Sequence, residues 1–367
     1  MSVRAPMAGL APRLILVLLT VSQLAAASCS SPAAPAPRAA EPAPSAAAAE
    51  RPAAANSAAD DPDTRVTTPT RITVAYSSYS NPFTPFFVAK EAGLWEKYGL
   101  DVDLTYISTG PTVTQGMVAG DVAFAAVGAA VIDARLMGSD LVVIADMVPI
   151  LLFSLYGDPA IGSVGELRGK TIATSQRGGA ADMAGRLALR HFGLVPDEDV
   201  SFLYAGGMPS ILAATQQKIV SAGVVSSPST VQARELGLRE IVDIGALRIP
   251  YPHDLVAASA QYARQNPDVV RRFLKGYIEG IKRLREDKPL AMQAIGKYTR
   301  TDDPRLQEEA YDTIVNVYAR LPLVTPESIQ AAVDESLSPN AKDARLDDLY
   351  DNSYVESLRG WTEQLYR

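Results

Sequence analysis

The chain has 367 residues, 47% hydrophobic and 20% charged, with a formal net charge of -7. That length suffices for two domains with buried cores, and the composition is that of a soluble globular protein. The single cysteine excludes a disulfide framework, a cysteine metal cluster and a CxxC redox centre; two histidines speak against a histidine-rich metal site, and the acidic balance against nucleic-acid binding, which needs a basic stripe to neutralise phosphates.

Arg4 and Arg13 form a basic region around the start of an apolar run at residues 14–24, and Ala26, Ala27 and Ser28 follow it. This is the pattern of a secretory signal peptide, residues 1–28, and the run is shorter than the ~20 apolar residues of a spanning helix. Cys29 comes next. A cysteine directly after an apolar run and small residues resembles a bacterial lipobox, with Ala26 where that motif most often has Leu. The resemblance implies lipidation at Cys29; the alternative is a plain cleaved signal with an incidental cysteine. Residues 30–63 contain 15 Ala and 7 Pro in 34 positions and no aromatic side chain. Such a segment buries too little apolar surface to offset the entropy of ordering it. It reads as a tether, residues 29–70 with the anchor, spanning on the order of 30 Å.

The folded part is expected from Arg71. Ile72-Thr73-Val74-Ala75-Tyr76 is a β-branched strand that ends in a polar turn. A helix over about 83–98 ends at Gly99. Residues 100–106 alternate as a second strand would, Ser108-Thr109-Gly110 turns the chain, and a helix over 112–118 stops at Gly120. Residues 122–127 (VAFAAV) form a wholly apolar strand, as a buried parallel sheet requires. This βαβ rhythm restarts at Thr171-Ile172-Ala173-Thr174. Gly178-Gly179 leads into a helix ending near Phe192, residues 200–204 form a strand, a helix spans about 209–217, and strands follow at 220–225 and 241–244. From about residue 266 the pattern is helical, over 268–285, 291–298, 305–320 and 327–337, with Trp361 and Tyr366 docking a last helix. No repeat at solenoid periods is present.

Four pieces in order carry a family resemblance: Pro85-Phe86-Phe87-Val88-Ala89-Lys90-Glu91-Ala92-Gly93-Leu94-Trp95 with Tyr98-Gly99-Leu100-Asp101-Val102; Met117-Val118-Ala119-Gly120-Asp121-Val122-Ala123-Phe124; Leu167-Arg168-Gly169-Lys170-Thr171-Ile172-Ala173; and Asn266-Pro267-Asp268-Val269-Val270-Arg271-Arg272-Phe273-Leu274. They resemble the substrate-binding proteins of bacterial ABC importers, in the nitrate/sulfonate/taurine group also called SsuA-like or NMT1/THI5-like. In a further piece, Lys218 stands where that group usually has Gly and Ser221 where it usually has Asp. The resemblance implies an α/β, two-lobed periplasmic binding protein fold of type II. Domain 1 would comprise residues 71–157 and 254–367, and domain 2 residues 158–253. The crossings would lie at 151–156 and 249–255, where Pro250 and Pro252 suit a stiff irregular hinge better than a strand interior. The matched glycines read as structural, supplying positive φ at helix ends.

In open α/β sheets ligands sit beyond the carboxyl ends of strands, beside helix N-termini. That rule selects Ser77, Ser78, Tyr79, Ser108, Thr109 and Gly128 in the first unit. In the second it selects Ser175, Arg177, Gly178, Gly179, Gly207 and Ser226. Their hydroxyls and backbone N–H groups suit a small anion or polar head, and the Arg177 guanidinium suits a carboxylate or sulfonate. Tyr79, Phe83, Tyr156 and Tyr251 offer rings for stacking. The alternatives are ordinary βα turns, a solvated surface arginine and core or hinge packing. His191 reads as a surface residue at a helix end, and His253 as a hinge residue that packs or faces the cleft.

The expected function is an exported, membrane-anchored lipoprotein. It would capture a small organic or anionic solute (sulfonate, nitrate, carboxylate or pyrimidine-like) and deliver it to ABC permease and ATPase subunits. The expected protein is a monomer, not an enzyme, with no cofactor, metal or nucleic-acid partner. A sensor feeding a signalling partner remains an alternative. The resemblance also brings in a thiamine-pyrimidine synthase, whose cysteine-rich motif and iron-binding histidines this chain lacks.

Overall fold

Runs of β-branched and apolar residues alternate with helical segments, and the strands sort into two mixed sheets of five. The computed structural model describes residues 61–367, which belong to one compact unit, Asn56–Arg367. The first sheet holds β1 (Thr70–Tyr76), β2 (Leu100–Tyr106), β3 (Phe124–Val127), β4 (Leu141–Ile150) and, after a long excursion, β10 (Pro250–Ser259). The second holds β5 (Ser154–Gly157), β6 (Thr171–Thr174), β7 (Ser201–Tyr204), β8 (Ala222–Val225) and β9 (Arg239–Asp243). Their orders are β2-β1-β3-β10-β4 and β7-β6-β8-β5-β9. In each sheet four strands run in one direction, and one strand is inserted antiparallel to its neighbours, β10 in the first and β5 in the second.

The helices in the first half are α1 (Thr84–Glu91), α2 (Leu94–Lys97), α3 (Gly110–Ala119), α4 (Ala130–Leu136), α5 (Ala180–His191), α6 (Met208–Gln216) and α7 (Ser229–Glu235). The tail carries α8 (Ala260–Gln265), α9 (Pro267–Glu286), α10 (Lys288–Thr299), α11 (Pro304–Ile314), α12 (Pro326–Asp334), α13 (Ser353–Glu356) and α14 (Arg359–Leu365). The helix expected over 83–98 is divided in two at Gly93, whose φ is 63°. The helix expected over 305–320 ends early, at Ile314. The strand β4 is absent from the sequence-based expectation. Its run, LVVIADMVPI, is apolar almost throughout and carries no period that separates strand from buried helix. Pro250 and Pro252 lie inside β10, at its start, where the pairing with β4 shifts register between Pro250 and Asp254. A proline needs such an interruption because it has no N–H for the ladder.

The tail helix α9 fixes the first sheet's outer layer. Its buried positions include Phe273, Gly276, Tyr277, Gly280, Ile281 and Leu284, spaced three and four apart as one helical face demands. Trp95 Nε1 donates to Phe273 O at 3.0 Å, and the Trp95 and Phe273 rings stack 5.6 Å apart. The approach depends on the two glycines. A Cβ at Gly276 would lie 2.2 Å from Trp95 Cδ1, and one at Gly280 would lie 2.5 Å from Pro85 O.

The expected tether also needs correcting at its far end. Residues 1–60, with the signal, Cys29 and most of the tether, lie outside the described residues. The last ten tether positions do not: the short 3-10 helix Pro62–Arg65 is clamped to α9. Lys275 Nζ contacts Asp61 Oδ1 at 2.7 Å and Asp63 Oδ2 at 2.6 Å, and Arg271 reaches Asp63 Oδ1 at 2.8 Å. The composition of the segment hid this, because the two aspartates find their partners some two hundred residues away.

Burial alone would raise the Asp63 pKa, but hydrogen bonds from Arg271 and Lys275, with their charges, hold it at about 2. A carboxyl lowered by folding stabilises above its unfolded pKa and loses that contribution as pH falls through the folded value. Asp63→Asn should therefore lower the melting temperature at pH 7, by a stability loss of roughly 1–2 kcal/mol. The gap to the unsubstituted chain should close as pH falls from about 4 towards 2, read by calorimetry. Gly276→Ala should cost about 1–3 kcal/mol by overpacking against Trp95, and an unchanged denaturation midpoint would contradict the close approach described.

Candidate functional site

Strand polarity decides where the loops gather. In the first sheet β1, β2 and β3 end at Tyr76, Tyr106 and Val127, and β10, running the other way, pairs Leu255 with Val127. The start of β10 and the end of β4 therefore lie at the same edge as the loops 77–80, 107–109 and 128–129. In the second sheet β6, β7 and β8 end at Thr174, Tyr204 and Val225, and β5 pairs Ser154 with Val225. Residues 151–153 carry the chain from the end of β4 to the start of β5, and residues 244–249 return it to β10. The two sets of carboxyl-end loops are thus brought to the two crossings.

In the first set, Ser77, Ser78 and Tyr79 are half-buried, and the Ser78 and Ser80 hydroxyls lie 2.6 Å apart. Thr109 precedes α3 with a φ of 73°, a conformation that costs a β-branched residue of order 1 kcal/mol or more. Its hydroxyl meets that of Thr112 at 3.0 Å, and Ser108 beside it is exposed. Gly128 is set by the neighbouring strand, since a Cβ there would lie 3.1 Å from His253 O. In the second set, Gly178 takes a φ of 75° and donates its N–H to Asp182 Oδ2 at 2.9 Å. Ser175 and Gly179 are half-buried, Gly207 is exposed and Ser226 half-buried. The first turns of α3, α5 and α6 lack a side-chain cap at Thr109, Gly179 and Gly207, which leaves oriented backbone N–H groups for a ligand's acceptors.

Arg177 stands apart. Its side chain is 66% exposed and 3.8 Å from Asp197 Oδ2. The buried arginine of this region is Arg186, which the sequence-based selection misses: it donates to Asp182 Oδ2 at 3.0 Å, Asp197 Oδ2 at 2.8 Å and Tyr204 Oη at 2.9 Å. The i,i+4 spacing of Asp182 and Arg186 is the sequence signal for it. Thr174 Oγ1, Asp182 Oδ1 and Ser227 Oγ are buried with no hydrogen-bond partner, and all three belong to the carboxyl-end region of the second sheet.

The candidate rings are largely committed to the fold. Tyr79 stacks on Tyr106 at 3.9 Å, and the Arg300 guanidinium lies 4.2 Å from its ring centre while donating to its hydroxyl at 2.7 Å. Phe83, Tyr156 and Tyr251 are buried in the core. Of the two readings given for these rings, packing fits all four. Arg300 also lines an open groove of ≈ 900 Å³ between α10 and α11, with Lys297 and Gln307; this groove is outside the loop set selected by the strand ends.

The crossings are tied by His253. Its Nδ1 accepts from Leu152 N at 3.2 Å, and its ring lies 5.2 Å from that of Phe153. Burial pulls its pKa down to about 4, against a backbone hydrogen bond with Ile150. Burial, then the charge of Asp146, push the neighbouring Asp254 carboxyl well above the usual range. Burial takes Asp146 itself up to about 7, against its contact with Ser328. Each of these shifts disfavours the charged form of a buried group beside the crossing. His191, at the end of α5, is exposed beside Phe192.

The site offers hydroxyls, uncapped helix N-termini and one exposed guanidinium. Among the described residues no group of three or more His, Cys, Asp or Glu is placed to hold a metal, and no helix is long and apolar enough to cross a membrane.

Comparison with known proteins places this geometry. A binding protein of Brucella abortus (strain 2308) is 28% identical over 232 residues, 61% of this chain and 70% of its own length. The riboflavin-binding protein RibY of Chloroflexus aurantiacus is 28% identical over 218 residues, 58% of this chain and 61% of its own. Among solved structures, the alkanesulfonate-binding protein SsuA from Xanthomonas axonopodis pv. citri, bound to MOPS, superposes with a TM-score of 0.60 at 18% identity, covering 75% of this chain and 96% of its own. The fold is the two-lobed periplasmic binding protein fold of type II. The profile described as NMT1/THI5 like matches residues 80–289, more than half of the sequence, and the chain belongs to that family.

Proposed function

We propose that this chain is the extracytoplasmic substrate-binding lipoprotein of an ABC importer. It takes a small organic or anionic solute between its two sheets and presents it to a membrane permease with its ATPase. The observation that carries the reading is topological: six βα loops, three from each sheet, converge on the two crossings, with three uncapped helix N-termini among them. The two sheets would act as lobes joined at residues 151–153 and 244–249, so that β5 (Ser154–Gly157) goes with the second lobe and all of β10 with the first. Relatives named as binding proteins support binding without catalysis.

The relatives frame the ligand classes: one is a riboflavin-binding protein and another structure holds a sulfonate buffer. The site favours a ligand with oxygen acceptors, which the N-termini, the loop hydroxyls and Arg177 would receive. Cys29 would carry the lipid that holds the protein at the membrane, in a periplasmic or cell-surface setting, and the chain would work as a monomer.

A thermal-shift screen with MOPS, taurine, nitrate, riboflavin, pyrimidines and aromatic carboxylates tests the reading. A true ligand at 100 Kd adds about 2.7 kcal/mol, a rise of several degrees for a body of this size. No shift from any class, with no ligand carried through purification by mass spectrometry, would sink it. Arg177→Ala should weaken an anionic ligand several-fold while leaving the melting temperature of the free protein unchanged, because the side chain is exposed. Cys29→Ser should move the protein from the membrane fraction to the soluble fraction of the producing cell; retention in the membrane would contradict the anchor.

A further inference from the structure

Beyond the two crossings, side chains join the two halves of the body at two rims. On one rim Arg305 and Glu309, one turn apart on α11, face Arg234 and Glu235 on α7. Arg305 lies 3.4 Å from Glu235, and Arg234 Nη2 pairs with Glu309 Oε2, so charge alternates across the gap. Thr230, one turn before Arg234, donates to Glu309 Oε1. Both oxygens of this carboxylate are thus engaged by one face of α7. On the other rim Arg190 of α5 pairs with Glu335, just past α12.

The first rim is connected to the candidate ligand loops on both sides. Asn81 closes the loop after β1, and its Nδ2 donates to Ala310 O at 3.1 Å, the residue after Glu309. Tyr318 Oη donates to Pro82 O at 2.9 Å in the same loop. Opposite, α7 begins directly after Ser226, Ser227 and Pro228, and Arg234 Nη1 donates to Tyr156 Oη at 3.1 Å in β5, the strand that leaves the crossing. One contact therefore links the first ligand loop of one half to the last ligand loop of the other.

We propose that Glu309 is a positioning residue for solute capture: with Arg234 and Thr230 it latches the two halves in their closed arrangement. The proposal rests on the reading of the chain as a binding protein that closes on its ligand. An exposed ion pair moves an equilibrium by at most about five-fold. That suits a latch, which must bias closure without preventing release.

The test is the distance between the halves, measured on the unliganded full chain carrying Cys29→Ser, with spin labels at Val118→Cys and Ile219→Cys, both exposed positions. Glu309→Gln and Arg234→Gln should each move the distance distribution to longer values. The two together should move it no further than either alone, and the exchanged pair Arg234→Glu with Glu309→Arg should bring it back. Each variant is first required to melt cooperatively; Thr230→Val, which removes one hydroxyl, replaces any that does not. Distributions that stay at the unsubstituted distance in the single variants, or an exchanged pair that melts normally without restoring it, would overturn the latch. The measurement uses no solute. A chain that bound nothing in the ligand screen would refute capture, while the distances would still support or overturn the contact by themselves.

Discussion

The architecture depends on one constraint of strand direction. A parallel sheet gathers its βα loops at one edge, but a chain that only adds parallel strands leaves from that edge and must cross back each time. Inserting β10 and β5 antiparallel solves two problems together. It lets the chain pass between the sheets in three residues at 151–153, and it puts the return beside the same loops. The site is thereby a consequence of connectivity. The loops that feed helix N-termini and the segments that join the halves share an edge because the inserted strands allow no other exit.

Joining two bodies at so short a crossing has an energetic side. The crossing is buried, so charge there would be expensive to desolvate. The chain nevertheless places His253, Asp254 and Asp146 at it, and their shifts all favour the neutral form near neutral pH. The signs oppose one another in the pH dependence of stability. A histidine whose pKa is depressed by folding loses stability as pH falls from about 6.5 towards 4. A carboxyl whose pKa is raised loses stability as pH rises from about 4 towards 7. Over the interval they share, the two slopes partly offset each other, while the hydrogen bond from Leu152 N ties the imidazole to the crossing segment.

Much of this was legible in the sequence because the information was local. The parallel strands announced themselves by β-branched or wholly apolar runs, and α9 by its three-and-four spacing. Lys218 shows how the backbone can keep a pattern that a side chain has left. It stands where the family resemblance expects glycine, and it holds a φ of 56° while its amine pairs with Asp158 Oδ2 at 2.8 Å on the surface. That departure is a surface event and says little about the ligand. What the sequence withheld was long-range. β4 had no period to betray it. Asp61 and Asp63 looked like the end of a solvated tether until Arg271 and Lys275 came into contact. For the rings of Tyr79 and Tyr251 stacking and packing stood open together, because nothing local showed Arg300 or the core they pack against. Arg177 was the conspicuous cation in the sequence, whereas the structure buries Arg186 and leaves Arg177 in solvent.

The same long-range contacts tie the first described residues to the first sheet. α9 receives Asp61 and Asp63, packs its glycines against Trp95 and Pro85, and shares a core with Ile72 and Val74 of β1, the strand that leads to Ser77, Ser78 and Tyr79. Between the halves, by contrast, the rim where α7 meets α11 is held by polar side chains, Arg234 and Thr230 on one side and Glu309 on the other.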